Sequence, residues 1–395
     1  MVSSRSMHRR ALASLYVPGL FVGMPGQALF LLLPLYVLDI GGSVAAAAAV
    51  IGFRGAGMLV MGVPAGWLTT KYGYRKVITC SSVLIVLSFL SYSLCDSLSS
   101  LYIIAFVHGL ASSTFLLGRM TCISSSFSSS ERGRVIAMIA GVLRLSALIG
   151  PLIASLCATR YGFAITFQIC GAMALLAGFC SFSFLTENLS KGQPLKLSAI
   201  PRFLLEYKHV FLTAGLAAFG FMFMRSARTV LIPLMGAYLA LDLTTVGLVV
   251  SISAAIDLVL FYPAGIVMDR WGRRFTAIPS SIIFALSLGA ISLCESFLGL
   301  LVAAIAAGVA NGLSTGIVMT LGADHAPEDK RAEFLGFWRL ITDFGNVSGP
   351  MLISGMIFVA SLPAAALMTG CVGVASSFII YRYVDETLKN EQEIV

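Results

Sequence analysis

Pro64-Ala65-Gly66 returns as Pro263-Ala264-Gly265, and the offset between the copies, 263 minus 64 or 199, is half the length of this 395-residue chain. The same step relates Pro34 to Pro233, Gly73 to Gly272, Cys95-Asp96 to Cys294-Glu295, Gly109 to Gly308, Arg132 to Arg331 and Gly150-Pro151 to Gly349-Pro350. A gapless register held across most of each half identifies a tandem repeat, so both halves must fold alike.

Each half carries six apolar stretches of about 20 residues, the length that crosses ~30 Å of hydrocarbon as a helix. The expected spans are 13–38, 45–68, 77–95, 100–122, 135–158 and 163–185, then 210–240, 246–267, 276–294, 299–322, 334–358 and 364–384. With 58% hydrophobic and 11% charged residues, the chain has more apolar surface than a water-soluble domain of its length can bury. In lipid every backbone polar group must be satisfied within its own segment, so these stretches predict helices, and the short alternating segments of a membrane barrel are missing. The expected organisation is an all-α membrane protein of twelve helices: a six-helix bundle over 1–186, a linker over 187–208 and a second bundle over 209–395.

Basic residues are retained on the cytoplasmic side of a membrane. One set of loops holds Lys71, Arg75, Lys76, Arg132, Arg134, Lys191, Lys196, Arg202, Lys208, Arg270, Arg273, Arg274, Lys330 and Arg331, whereas the opposite set has Arg160 alone. Both termini, with Arg5, Arg9 and Arg10 at one end and Arg382 and Lys389 at the other, are therefore expected in the cytoplasm, and the location expected is a cell membrane, the inner membrane of a bacterium. The net charge of +8 follows from this sorting. Basic residues spread over five short loops do not make the single basic face that nucleic acid requires. The eight cysteines form no CxxC pair and no cluster of metal-ligand spacing, so neither a metal nor any other cofactor is expected. One intramembrane histidine and isolated aspartates do not compose a catalytic set, so the chain does not read as an enzyme.

After its second span each half places the same kind of loop: Gly66-Trp67-Leu68-Thr69-Thr70-Lys71-Tyr72-Gly73-Tyr74-Arg75-Lys76 and Gly265-Ile266-Val267-Met268-Asp269-Arg270-Trp271-Gly272-Arg273-Arg274. This pattern resembles the signature of the major facilitator superfamily, Gly-x-Leu-Ala-Asp-Arg-x-Gly-Arg-Arg, twice and in register. The resemblance covers essentially the whole chain and implies two six-helix bundles related by a parallel pseudo-twofold repeat, a midplane solute site, and alternating access. It makes Gly66, Gly73, Arg75, Gly265, Asp269, Arg270, Gly272 and Arg273 gating-loop residues. The first copy departs from the pattern, with Thr70 where the family has an acid. Gly141, Gly150 and Pro151 on the fifth span resemble the antiporter signature of proton-coupled drug and metabolite exporters in this superfamily. On the fourth span, Ala105 stands where such exporters carry an arginine, ahead of His108-Gly109.

A charge at the centre of a membrane helix costs roughly 2.5 to 3.5 kcal/mol even on the lenient insertion scale. The deep charges are Arg54, Arg144, Arg225, Arg228, Asp257, Arg339 and Asp343. Arg225 and Arg228 share a helical face, and Arg339 and Asp343 are spaced to pair within their helix. The resemblance places Arg225 and Arg228 at the central cavity with Gln27 and His108, as substrate-binding residues. It also makes Arg144 with Asp257, and Arg54 with Asp343, candidate pairs for proton coupling or as static ties. Guanidinium forks favour carboxylate or phosphate over a lipophilic cation. The run Phe219-Gly220-Phe221-Met222-Phe223-Met224 either suits an amphipathic solute or faces lipid.

The expectation is a secondary active transporter, functioning as a monomer, that exports a small anionic or amphipathic organic solute in exchange for protons. Its partners are the solute, protons and the bilayer. No nucleotide-cradling loop is present for an ATP-driven pump. Import of an organic anion with protons, and flipping of a lipid or lysolipid, are the alternatives.

Overall fold

The computed structural model describes residues 15–127, 129–184, 205–328 and 330–387, and no strand occurs among them. Of the expected linker, residues 187–204 lie outside the described residues, as do Arg5, Arg9, Arg10, Lys191, Lys196, Arg202 and Lys389.

Twelve helices follow one another along the chain. The first six are α1 (Val17–Asp39), α2 (Val44–Met61, resuming as Pro64–Tyr72), α3 (Tyr74–Ser93), α4 (Leu98–Ser126), α5 (129–161) and α6 (163–184). The second six are α7 (Lys208–Tyr238), α8 (Leu243–Trp271), α9 (Arg273–Ala290), α10 (Phe297–Ser314, resuming as Ile317–Asp324), α11 (Arg331–Val359) and α12 (Leu362–Tyr383). Helices α5 and α6 meet without a loop, and Gly162, at φ 81° and ψ 168°, makes the corner between them. Two compact units result: residues 1–194 with 241–251, and 195–240 with 252–395. In the first, α1 and α3 pack against the α5–α6 run and α2 against α4; in the second, α7 packs on α11 and α9 on α12.

The 199-residue step reappears in the packing, contact by contact. A Cβ added at Gly109 of α4 would fall on the Arg54 carbonyl oxygen of α2, and one at Gly308 of α10 would fall on the Ser253 carbonyl oxygen of α8. Gly150 of α5 lies in the same way against the Met24 carbonyl of α1, and Gly349 of α11 against the Phe223 carbonyl of α7. Lipid supplies little hydrophobic drive between helices, so backbones this close gain their dispersion energy only where no side chain intervenes. Ser43 accepts from the Ala46 amide at 3.1 Å to start α2, and Asp242 accepts from the Thr245 amide at 3.0 Å to start α8. Gly73 and Gly272, at φ 83° and 103°, turn the chain between α2 and α3 and between α8 and α9, in a region that side-chain-bearing residues rarely adopt.

These contacts separate glycines that look alike in sequence. Gly141 has no neighbour within 4 Å of an added Cβ, whereas Gly109 and Gly150 meet backbone. Gly109→Ala and Gly150→Ala are each expected to lower stability by about 1–3 kcal/mol, because helices must separate to admit the methyl group. Gly141→Ala should stay within about 0.5 kcal/mol of the native protein. Thermal unfolding of the purified protein in detergent reads the difference.

Candidate solute and proton site

The second unit brings Arg225, Arg228, Asp257 and Asn311 together where three helices meet. Two close approaches set α8 against α10, four residues apart on each helix: Gly308 lies over Ser253, and Gly312 over the backbone of Asp257. Ser253 reinforces the first by donating to the Ala304 carbonyl at 2.5 Å. The second sets Asp257 beside Asn311, each only 6% exposed. Helix α7 crosses the same face of α10. Arg225 reaches Asn311 and Arg228 reaches the Ala307 carbonyl, so residues three apart on α7 meet residues four apart on α10.

A continuous polar chain results. Arg225 Nε donates to Asn311 Oδ1 at 2.7 Å, and Asn311 Nδ2 donates to Asp257 Oδ2 at 2.6 Å. Because guanidinium only donates and carboxylate only accepts, the amide can stand between them in one orientation only. Arg225 also lies 3.5 Å from Ser314 Oγ and 3.7 Å from Met222 Sδ. Both arginines are half-buried, whereas the amide and the acid are enclosed, so the cationic end is the accessible one. Phe221, Phe223 and Met224 do not face lipid; they are buried within the second unit.

Other sequence-predicted residues fall elsewhere. Arg339 Nε lies 3.5 Å from Asp343 Oδ2 within α11. Arg144 donates to the Ala140 carbonyl of its own helix at 3.3 Å. Gln27 is half-buried on α1. His108 is 1% exposed, with Phe89 edge-on at 5.2 Å and Tyr92 at 6.0 Å between ring centres. Arg54 has no carboxylate partner among the described residues, and its guanidinium lies over the Phe30 ring at 4.6 Å. An aromatic face is a lipid-stable partner for a cation.

The loop motifs also resolve. Arg75 Nη2 donates to the Phe182 carbonyl at 2.9 Å, and Arg274 Nη2 to the Tyr381 carbonyl at 2.6 Å, again 199 residues apart. Each cation thereby meets the unpaired carbonyls and negative dipole end of the last helix in its unit. Asp269 is 71% exposed and only 3.8 Å from Arg273, whose closer partner is Asp324 at 3.0 Å. Glu386 accepts from the Arg273 and Arg274 amides at 2.8 and 2.9 Å and so caps α9. Arg270 is exposed, and an added Cβ at Gly66 or Gly265 would meet nothing. Sequence reasoning missed Asn311, Asp324 and Glu386. An amide inside an apolar helix was the available signal for the first.

A family model described as Major Facilitator Superfamily matches residues 15–224 and again 214–394, once for each repeat. The chain belongs to the major facilitator superfamily. The hexuronate transporter of Bacillus subtilis (strain 168) is 28% identical over 165 residues, which cover 41% of this chain and 38% of that protein. The human chromaffin granule amine transporter is 23% identical over 336 residues, covering 83% of this chain and 63% of its own length. The chain thus spans less than two thirds of the length of both. A solved POT family transporter, crystallised with a thioalcohol-conjugated peptide, superposes with a TM-score of 0.74 at 13% identity over 95% of each chain, a likeness of fold. The superfamily assignment makes the chain a multi-pass membrane transporter.

The carboxylate that secures the second loop is accordingly Asp324 and not Asp269. In a double-mutant cycle on thermal unfolding, Arg273 with Asp324 is expected to show a coupling of about 0.5–1 kcal/mol, and Arg273 with Asp269 close to zero.

Proposed function

We propose that this superfamily member is a proton-coupled transporter of a small organic carboxylate, working by alternating access with both termini in the cytoplasm. The observation that carries the reading is the Arg225–Asn311–Asp257 chain. Arg225 and Arg228 provide the guanidinium pair that a carboxylate recognises through forked hydrogen bonds. A hexuronate is such a carboxylate, and the partial match to the hexuronate transporter agrees with this chemistry.

Asp257 supplies the coupling. With Asp257 ionised, the two arginines and the acid sum to one positive charge; with a proton on Asp257 they sum to two. An anion at Arg225 is therefore favoured by a proton on Asp257. At about 8 Å and an effective dielectric near 20 the interaction is worth about 2 kcal/mol, or roughly thirtyfold in affinity. Proton and anion then load together, which is co-transport. The export reading rests on the α5 glycine–proline motif, and Gly150 has the same backbone contact as Gly349 on α11, which supports a packing role for that motif. Import of the anion with protons is accordingly the direction proposed.

Proteoliposomes under an imposed pH gradient test this with glucuronate, lactate and the lipophilic cation tetraphenylphosphonium. An acidic exterior should drive accumulation of a carboxylate and leave the cation behind. Arg225→Ala should raise KM at least tenfold, the loss of a charge-assisted hydrogen bond worth about 1.5–3 kcal/mol. Asp257→Asn should abolish gradient-driven uptake while retaining counterflow. Accumulation of the cation with Arg225→Ala unaffected, or carboxylate uptake under the reversed gradient, would sink the proposal.

A further inference from the structure

The first unit has a buried polar cluster of its own. Arg54 of α2, Tyr92 of α3 and His108 of α4 are 6%, 0% and 1% exposed. The close approach at Gly109 lays α4 directly on the Arg54 backbone, so His108, the preceding residue, stands beside that arginine. The Tyr92 and His108 rings lie 6.0 Å apart between centres. Phe30 and Phe89 wall the cluster with aromatic rings.

Three polar atoms here have no hydrogen-bond partner: Arg54 Nε, Tyr92 Oη and His108 Nδ1. Such orphans are rare in folded proteins, and three from three neighbouring helices mark a place where something binds. All three groups can donate a hydrogen bond, histidine with its proton on Nδ1. The guanidinium keeps its charge under all conditions a protein survives. The acids of the first unit among the described residues, Asp39, Asp96, Glu131 and Asp242, stand at helix ends or in the turns between helices. Phe30 offsets part of the charge through its ring face, 4.6 Å from the guanidinium carbon, and Arg54 Nε still has no hydrogen-bond acceptor. A water molecule would satisfy the hydrogen bonds and leave the charge. Donors around a cation, without an acid, are the recognition chemistry of an anion, and with no residue of the cluster more than 6% exposed that anion must be small.

We propose that Arg54, Tyr92 and His108 bind a small inorganic anion of chloride size, which serves as the fixed counter-ion of the first bundle. It is distinct from the transported carboxylate and stays in place through the cycle.

Purified protein in detergent is unfolded thermally at constant ionic strength while methanesulfonate, which carries no carboxylate, is replaced by chloride or bromide. Wild type should gain a saturable rise of about 2–4 °C in midpoint from either halide. The rise should persist in Arg225→Ala, which separates it from anion binding at the transport site. It should be reduced in Tyr92→Phe and lost in Arg54→Gln. Crystals of the wild type grown in bromide should show an anomalous peak among the three side chains, a readout that needs no variant to fold. A midpoint indifferent to halide overturns the proposal, as does a rise undiminished in Tyr92→Phe or a bromide map with water density and no anomalous peak.

Discussion

A guanidinium carried into hydrocarbon must be met by something, and the two units of this chain meet theirs differently. The cost of an unmet charge is several kcal/mol, as large as any packing contribution from a single contact. In the second unit the answer is acceptors: a side-chain amide backed by an aspartate for Arg225, and a helix carbonyl for Arg228. In the first, Arg144 likewise meets a helix carbonyl, but Arg54 is met by an aromatic ring within a cluster of donors.

The repeat makes this contrast sharp. Glycine contacts obey the 199-residue step, as at Gly109 and Gly308 or Gly150 and Gly349, and so do the loop arginines Arg75 and Arg274. Buried serines do as well, at Ser81 and Ser280, Ser82 and Ser281, and Ser88 and Ser287, but the residues of the two polar clusters do not. Arg225 corresponds to Gly26, Asp257 to Met58, Asn311 to Ser112, Arg54 to Ser253 and His108 to Ala307. Backbone proximity is what makes six helices a bundle, so its positions are held in both copies. Charge is what makes a bundle do something, and it has been distributed once. The positions that break the repeat are therefore the ones that distinguish the work of the two units.

Much of the fold was legible because its determinants are local and one-dimensional. Twenty apolar residues specify a helix in lipid without reference to anything else, and Gly73 and Gly272 announce their turns. Arg225 and Arg228 were legible as a pair by helical spacing alone. What spacing does not carry is which neighbour each side chain finds. Asn311, in the sequence Ala310-Asn311-Gly312, looks like a tolerated polar residue until Gly312 is seen to bring α8 within reach. Asp269 matched a motif and Asp324 did not, yet Arg273 is closer to Asp324, because the end of α10 arrives there in three dimensions. The surroundings of His108 were equally out of reach of the sequence. A lone histidine in a membrane helix invites a functional reading, and only the surrounding Phe89 and Tyr92 reveal that it is enclosed.

The amide between Arg225 and Asp257 has a physical rationale beyond satisfying both. A direct arginine–aspartate pair in low dielectric is held so strongly that an incoming carboxylate would have to displace one charge with another of the same kind. An interposed asparagine keeps the opposite charges linked but apart, so the acid offsets the burial of the arginine without saturating it. The same spacing weakens the electrostatic communication between them only to the range of about 2 kcal/mol, within the usual span of coupling between two ligands. A shorter link would lock the site and a longer one would let proton and solute move independently. In the proposed mechanism, Asn311 sets the length at which each can still report the presence of the other.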